Sequence, residues 1–182
     1  MVNLRRAAVA AIAVGALVGG AGSATAATST KQDTQVCGLD VSWLKMSTEG
    51  DYFEIQGGWL ALHKAASKSD RRLAKQLIVD HKKSLTENKA VAAKYGIELP
   101  DGPSPTQMWQ LEELREMGRQ EFEHDYAELE VKDHIQDIDE TKDEVKMGCN
   151  DEIQALAKDE IPVLEYHLVL SKRAYRANPD ER

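Results

Sequence analysis

Three histidines, His81, His134 and His167, are the residues whose type and spacing best suit metal chemistry. Each lies in a long segment of helical periodicity, and at about 100° per residue each falls among the apolar residues of that segment. Neutral imidazole nitrogens bind zinc, copper and iron, and the core of a helical bundle is a common place for such ligands. The positions therefore predict three inward-facing histidines that could ligate one transition-metal ion.

Two acidic residues, Glu54 and Glu130, are predicted to complete this group. Counted at about 1.5 Å per residue from the turns that join the helices, Glu54 is level with His81 and Glu130 is level with His167. Glu130 also precedes His134 by one helical turn and shares its face. Imidazole nitrogen with carboxylate oxygen is a common mixed ligand set. The predicted metal site thus contains His81, His134, His167, Glu54 and Glu130.

The same five residues fit a second hypothesis that involves no metal. A histidine on an apolar face is often a core residue hydrogen-bonded to a neighbour, and a buried His–Glu network would give the same spacing. The sequence therefore leaves open a transition-metal-binding protein, with zinc, copper or iron as the ion, and a non-catalytic structural or interaction protein.

A third hypothesis, a ferritin-like oxidase, lacks its usual sequence motif. Di-iron carboxylate proteins carry paired Glu-x-x-His motifs, but Ile78, Val131 and Leu164 stand three residues before the three histidines. The sequence also contains no nucleophile elbow and no glycine-rich phosphate loop. We therefore predict no catalytic residues, and a binding protein rather than an enzyme.

The start of the chain has the composition of a secretory signal. Arg5 and Arg6 precede an apolar run of small residues, and Ala24 and Ala26 flank Thr25 in an A-x-A cleavage pattern. We predict cleavage after Ala26 and a location in the periplasm, in the cell envelope or outside the cell. No later segment has the roughly 18 apolar residues that a membrane span needs.

Charge and cysteine content agree with an exported protein. The formal net charge is −8, and loss of the two signal arginines makes it more negative by two. Such a surface repels nucleic acid, which we exclude as a partner. Cys37 and Cys149 are the two cysteines of the chain, and an even pair in an oxidising compartment predicts a disulfide.

Turn and capping signals predict four long helices and one short helix, with no strand. The long helices are expected from about Thr48 to Ser67, from Ser69 to Tyr95, from Arg119 to Met147, and from Asn150 to about Asn178. The first helix has a predicted inward stripe of Tyr52, Ile55, Trp59, Leu62 and Ala66. Ser104 and Pro105 predict the start of the short helix, between Gly96 and Gly118.

These elements predict an all-α fold. Short turns within each helix pair and one long connection between the pairs indicate a ferritin-like four-helix bundle with one long crossover containing a short extra helix. The predicted organisation is a signal peptide at 1–26, a polar leader and N-terminal arm at 27–46, and the bundle domain at 47–178.

Four stretches, LAKQLIVDHKKSL, GIELP, FEHDYAELEVKDH and EIPVLEYHL, resemble the exported bacterial family known as domain of unknown function 4142, some members of which carry an outer-membrane label. The resemblance covers roughly residues 50–175 and implies a ferritin-like fold without a settled activity. The positions that align with the family's signature are Glu54, Asp80, His81, Phe122, Glu123, Tyr126, His134, Pro162 and His167. Glu123 departs from the family, which commonly has Asp there.

Overall fold

The computed structural model describes residues 35–180, and helices account for most of that range. They are α1 (Gly38–Lys64), α2 (Lys68–Tyr95), α3 (Pro105–Glu116), α4 (Arg119–Met147) and α5 (Asp151–Ala177). No strand occurs among the described residues, so the all-α prediction is confirmed. The predicted signal, residues 1–26, lies outside the described residues.

Two antiparallel helix pairs, α1 with α2 and α4 with α5, form the bundle. The pairs contact each other through α2 with α5 and α1 with α4, and α3 lies in the long connection and packs on α1 and α4. Among residues 35–180, no helix has the length and apolarity needed to cross a membrane.

Capping residues stand at the start or the end of several helices, where the sequence predicts them. Ser104 Oγ accepts a hydrogen bond from the Gln107 amide, and the Gln107 side chain accepts one from the Ser104 amide. The Asn150 side chain accepts hydrogen bonds from two amides in the first turn of α5. Gly96 ends α2 with a φ of 67°, in the left-handed region that favours glycine.

The start of α1 differs from the prediction, because the helix begins at Gly38 rather than near Thr48. Residues 38–46, predicted as part of the polar arm, are therefore helical. The Cys37 amide donates to Asp40 Oδ2 at 2.7 Å, which caps the helix from its third residue rather than from a conventional Ser or Thr. Burial of Trp43 and Leu44 against Ile153 then holds this first segment in the bundle.

The buried face of α1 also differs from the predicted stripe. Trp59 is 53% exposed, and none of the other predicted stripe residues is buried. The buried face of the middle of the helix consists of Gly50, Asp51, Glu54, Gly57, Gly58 and Ala61, with Phe53 beside it. The prediction was wrong because this face is mostly polar or small, whereas apolar periodicity assumes that the buried face is the apolar one.

Two separate apolar clusters lie towards opposite ends of the bundle. One contains Ala61, Leu73, Leu77, Leu114, Phe122, Tyr126 and Leu170 among others. The other contains Trp43, Leu44, Ile153 and Ala157. The middle of the long helices, between the two clusters, carries the buried side chains of Asp51, Glu54, Glu130, His81, His134 and His167. Apolar burial at both ends therefore stabilises a bundle whose centre is polar.

Gly58 lets α1 approach α2 closely. A Cβ atom at this position would lie 2.8 Å from Ile78 Cγ1 and 3.0 Å from the carbonyl oxygen of Ala74. A Cβ atom on Gly50, which is also buried in α1, would meet nothing within 4 Å. The two glycines therefore provide a matched pair for testing the packing of α1.

We expect Gly58→Ala to lower the free energy of unfolding by about 1–3 kcal/mol, because α1 and α2 must separate to admit the methyl group. Gly50→Ala should raise it by up to about 1 kcal/mol, because alanine favours the helix and has open space there. Urea unfolding of both variants measures the difference. Equal effects in the two variants would contradict the close contact of α1 with α2 at Gly58.

Cys37 and Cys149 form a disulfide, with their Cα atoms 5.8 Å apart, which confirms the predicted pairing. The carboxylate of Asp40 also joins the two cysteines, because Oδ2 accepts from the Cys37 amide and Oδ1 accepts from the Cys149 amide at 2.8 Å. Burial raises the pKa of Asp40, but the backbone hydrogen bonds outweigh burial and leave it lowered. The start of α1 is thus tied to the turn between α4 and α5.

Replacing both Cys37 and Cys149 by Ser should lower the free energy of unfolding by about 4 kcal/mol, because the bridge closes a long loop in the unfolded chain. Chemical unfolding of the variant and of oxidised wild-type protein gives the difference. Reduced wild-type protein is the control and should unfold like the variant. An unchanged unfolding midpoint in both would show that the bridge adds no stability.

Candidate metal centre

His81 on α2, His134 on α4 and His167 on α5 meet in the polar centre of the bundle. Their exposed fractions are 6%, 0% and 0%. The ring centroids of His81 and His134 are 6.1 Å apart, and His167 lies 5.2 Å from each. One nitrogen of each ring lies within 4.8 Å of one nitrogen of each other ring. The structure thus brings the three predicted histidines together.

Each of these rings is held on one side by a hydrogen bond. The bonds join His81 Nδ1 to Asp51 Oδ1 at 2.9 Å, His134 Nδ1 to the Glu130 carbonyl oxygen at 2.8 Å, and His167 Nε2 to Asp80 Oδ2 at 2.8 Å. A carbonyl oxygen only accepts, so His134 carries its proton on Nδ1 and keeps a free lone pair on Nε2. A metal-binding histidine is usually anchored in this way through the nitrogen that does not bind the ion.

The other nitrogen of each ring has no hydrogen-bond partner among the described residues. These atoms are His81 Nε2, His134 Nε2 and His167 Nδ1. Each ring therefore has one nitrogen fixed by a neighbour and one nitrogen to offer. This arrangement could hold a metal ion, and the donors are chemically suited to zinc, copper or iron.

A further layer of polar side chains holds the anchoring carboxylates. Ser84 Oγ and Asn88 Nδ2 donate to Asp51 Oδ2 at 3.1 Å and 2.9 Å. Gln76 Nε2 donates to Asp80 Oδ2 at 2.7 Å. Sequence reasoning assigned no anchoring role to Asp51. Its position one helical turn before Glu54, on the same face, is the signal that could have found it.

Glu54 and Glu130 lie on the anchored side of His134. His134 Nδ1 is 4.0 Å from Glu54 Oε1 and 3.6 Å from Glu130 Oε2. These three residues form a second group of close ligand atoms. The five predicted residues therefore come together as two groups that share His134. The remaining histidines lie elsewhere: His63 is exposed, and His124 hydrogen-bonds the Asn178 carbonyl oxygen.

Comparison with known proteins agrees with this architecture. Residues 25–173 match the family described as Domain of unknown function (DUF4142). The chain belongs to the DUF4142 family. The family indicated by the sequence resemblance is thereby confirmed, while its description assigns no activity. No curated protein matches the chain.

A solved structure is similar to this DUF4142 protein in fold. It is the crystal structure of a DUF305 fragment from Deinococcus radiodurans, which matches with a TM-score of 0.69 and 11% sequence identity. The match covers 78% of this chain and 98% of the other. At this identity the similarity supports the helical fold alone.

Burial makes the three histidines of the DUF4142 protein neutral at pH 7. It lowers the pKa of both His81 and His167 to about 4. Burial, together with the charges that His167 and His81 would carry, lowers the pKa of His134 well below its usual value. Only neutral imidazole binds a metal ion, so the low pKa values keep all three rings available as ligands.

The carboxyl groups nearby shift in the opposite direction. Burial raises the pKa of Glu130 to about 8, and burial with repulsion from Glu130 and Asp133 raises that of Glu54. In the absence of a cation Glu130 therefore keeps its proton near neutral pH. The carboxyl groups whose pKa is raised are Asp51, Glu54, Asp70, Glu130, Asp133, Asp137, Glu144 and Glu160.

We expect the metal-free protein to become less stable as pH rises from about 5 to about 8. In that range the folded carboxyl groups keep protons that the unfolded chain has lost, so their contribution to stability falls with rising pH. The three histidines make stability rise with pH between about pH 4 and pH 6.5, because in that range the unfolded chain binds protons that the folded rings do not. The carboxyl groups outnumber them, so the net slope is negative.

Thermal unfolding of chelator-treated protein should therefore give a higher melting temperature at pH 5.5 than at pH 8. The same series in saturating urea, where both conditions show the unfolded signal, checks that the probe itself does not respond to pH. A melting temperature that rises steadily from pH 5.5 to pH 8 would contradict the raised carboxyl pKa values.

Proposed function

We propose that this protein binds one transition-metal ion through His81, His134 and His167. The observation that carries the proposal is that each buried ring has one nitrogen anchored by a hydrogen bond and the other without a partner. A buried polar atom without a partner costs about 1–3 kcal/mol. An ion bound by the three free nitrogens would replace that cost with three ligand bonds.

The donor set favours zinc, copper(II) or iron over other ions. All three donors are imidazole nitrogens, which suit these metals. Cys37 and Cys149 are bridged and offer no thiolate. Three protein ligands would leave one position of a tetrahedral zinc site open for water or another small ligand.

A structural role for the same residues is the second candidate. The hydrogen bonds from His81 to Asp51 and from His167 to Asp80 favour it, because they join α2 to α1 and α5 to α2 without an ion. In this case the buried network specifies how the helices pack. The three unpartnered nitrogens are what this role leaves unexplained.

We place the metal-binding function outside the cytoplasm, as a buffer, a sensor or a stress protein of the cell envelope or exterior. The disulfide supports this location, since such bridges persist in oxidising compartments. The predicted signal peptide supports it from the sequence. The negative net charge would favour the approach of cations.

Melting temperatures with and without Zn²⁺, Cu²⁺ or Fe²⁺ at pH 7 test the proposal. For wild type, free metal at a hundredfold above Kd adds roughly 2.7 kcal/mol, a rise of roughly 5–10 °C. His81→Ala should lose most of this rise, because it removes a ligand. His124→Ala is the matched control and should keep it, since His124 is buried outside the group.

The metal-induced rise decides between the two functions, because both variants also lose stability from the cavity that alanine leaves. If wild type and His81→Ala show the same rise with each metal, or none, the metal site is wrong and the structural network remains. If His124→Ala loses the rise as well, the effect does not come from the three-histidine group.

A further inference from the structure

A cavity of about 170 Å³ reaches the histidine group from the surface, with walls from α1, α2, α4 and α5. It is lined by His81 and His167 and, at its outer part, by the exposed side chains of Met46 and Asp159. A water molecule occupies about 30 Å³ in the liquid, so the space is large enough for several waters. A metal ion with part of its hydration shell would fit.

Carboxyl groups line this cavity from its mouth to the histidines. Asp159 is exposed and Glu140 is half-buried, and these two are called the mouth pair; Asp137 and Glu160 are also half-buried, and Asp51 and Asp80 lie beside the rings. Lys83, the basic lining residue among those described, pairs with Glu87 at 3.1 Å. The cavity thus has a strong excess of acidic groups leading inward, and burial raises the pKa of the inner ones, so that these keep protons until a cation arrives.

Two features show that a cation suits this cavity. His81 Nε2 and His167 Nδ1 are buried donors without partners, and both rings line the cavity. Among residues 35–180, no Lys or Arg lies within 4.0 Å of the carboxyl oxygens of Asp137 or Glu160. Burial and repulsion from Asp51 raise the pKa of Glu160 to about 8, and a divalent cation between these acids would relieve that repulsion.

We propose that this acidic cavity is the path by which a divalent transition-metal ion reaches and leaves the three histidines. The proposal rests on the proposed function and adds the route. A cleft of one sign of charge with apolar walls focuses the electric field and raises the association rate of an oppositely charged ligand. The mouth carboxylates would therefore attract the ion, and the inner ones would exchange protons for it.

The first test removes charge at the mouth. Glu140→Gln with Asp159→Asn takes two negative charges from α4 and α5 at the cavity. Asp139→Asn with Glu165→Gln is the matched control, because it takes two charges from the same helices at positions that do not line the cavity. Stopped-flow mixing with Cu²⁺, followed by quenching of tryptophan fluorescence, gives the association rate, since Trp43 lines the cavity.

We expect the mouth variant to bind Cu²⁺ roughly threefold or more slowly than the control at low ionic strength. The difference should vanish at 1 M salt, where the Debye length is about 3 Å. Both variants should still bind one Cu²⁺ per chain, because neither removes a ligand.

The second test narrows the path without changing charge. Val163→Phe places a larger side chain on the cavity wall, and Val169→Phe, on the same helix but away from the cavity, is its control. A narrowed path slows binding and release together, so both rates should fall by a similar factor, roughly tenfold, with Kd unchanged. This signature separates a path from a binding site, where Kd would change.

Each outcome supports or overturns the route. If wild type binds no Cu²⁺, the proposed function fails and the route with it. If wild type binds Cu²⁺ but the cavity variants match their controls in both rates, the ion enters elsewhere and only the route is overturned. If Val163→Phe weakens Kd while leaving the association rate unchanged, the cavity is part of the binding site and not its path.

Discussion

The burial of three neutral imidazoles at the centre of the bundle is the constraint on which the rest of this structure depends. The rings are buried, so every ring nitrogen needs a partner supplied by the protein, by water or by a ligand. Asp51, Asp80 and the Glu130 carbonyl oxygen satisfy one nitrogen each. This polar centre lies between the two apolar clusters into which the core is divided.

Polar burial also explains which parts of the fold could be predicted from the sequence. Ser104, Asn150 and Gly96 act through local chemistry, so the helix ends they set are visible in the sequence. The buried face of α1 could not be predicted from the sequence, because its inward side carries Asp51 and Glu54 while Trp59 faces outward. Periodicity locates buried apolar residues, and it fails where the buried face of a helix is polar.

The candidate site also has features that the sequence predicts and atomic details that it does not. Helical phase and height along the bundle were enough to bring His81, His134 and His167 together. They could not show that Glu54 and Glu130 lie on the anchored side of His134, since that depends on side-chain rotamers and on which nitrogen meets the Glu130 carbonyl oxygen. The distinction matters because it leaves the three-histidine group with neutral nitrogen donors alone.

The central claim is that the three unpartnered nitrogens are the metal ligands, and ¹⁵N NMR of the histidine side chains tests it most directly. In metal-free protein His134 should be protonated on Nδ1. On addition of one equivalent of Zn²⁺, the signals of His81 Nε2, His134 Nε2 and His167 Nδ1 should move together, while His134 Nδ1 keeps its proton. Unchanged signals at those three nitrogens, or metal-induced shifts confined to His63 and His124, would contradict the account.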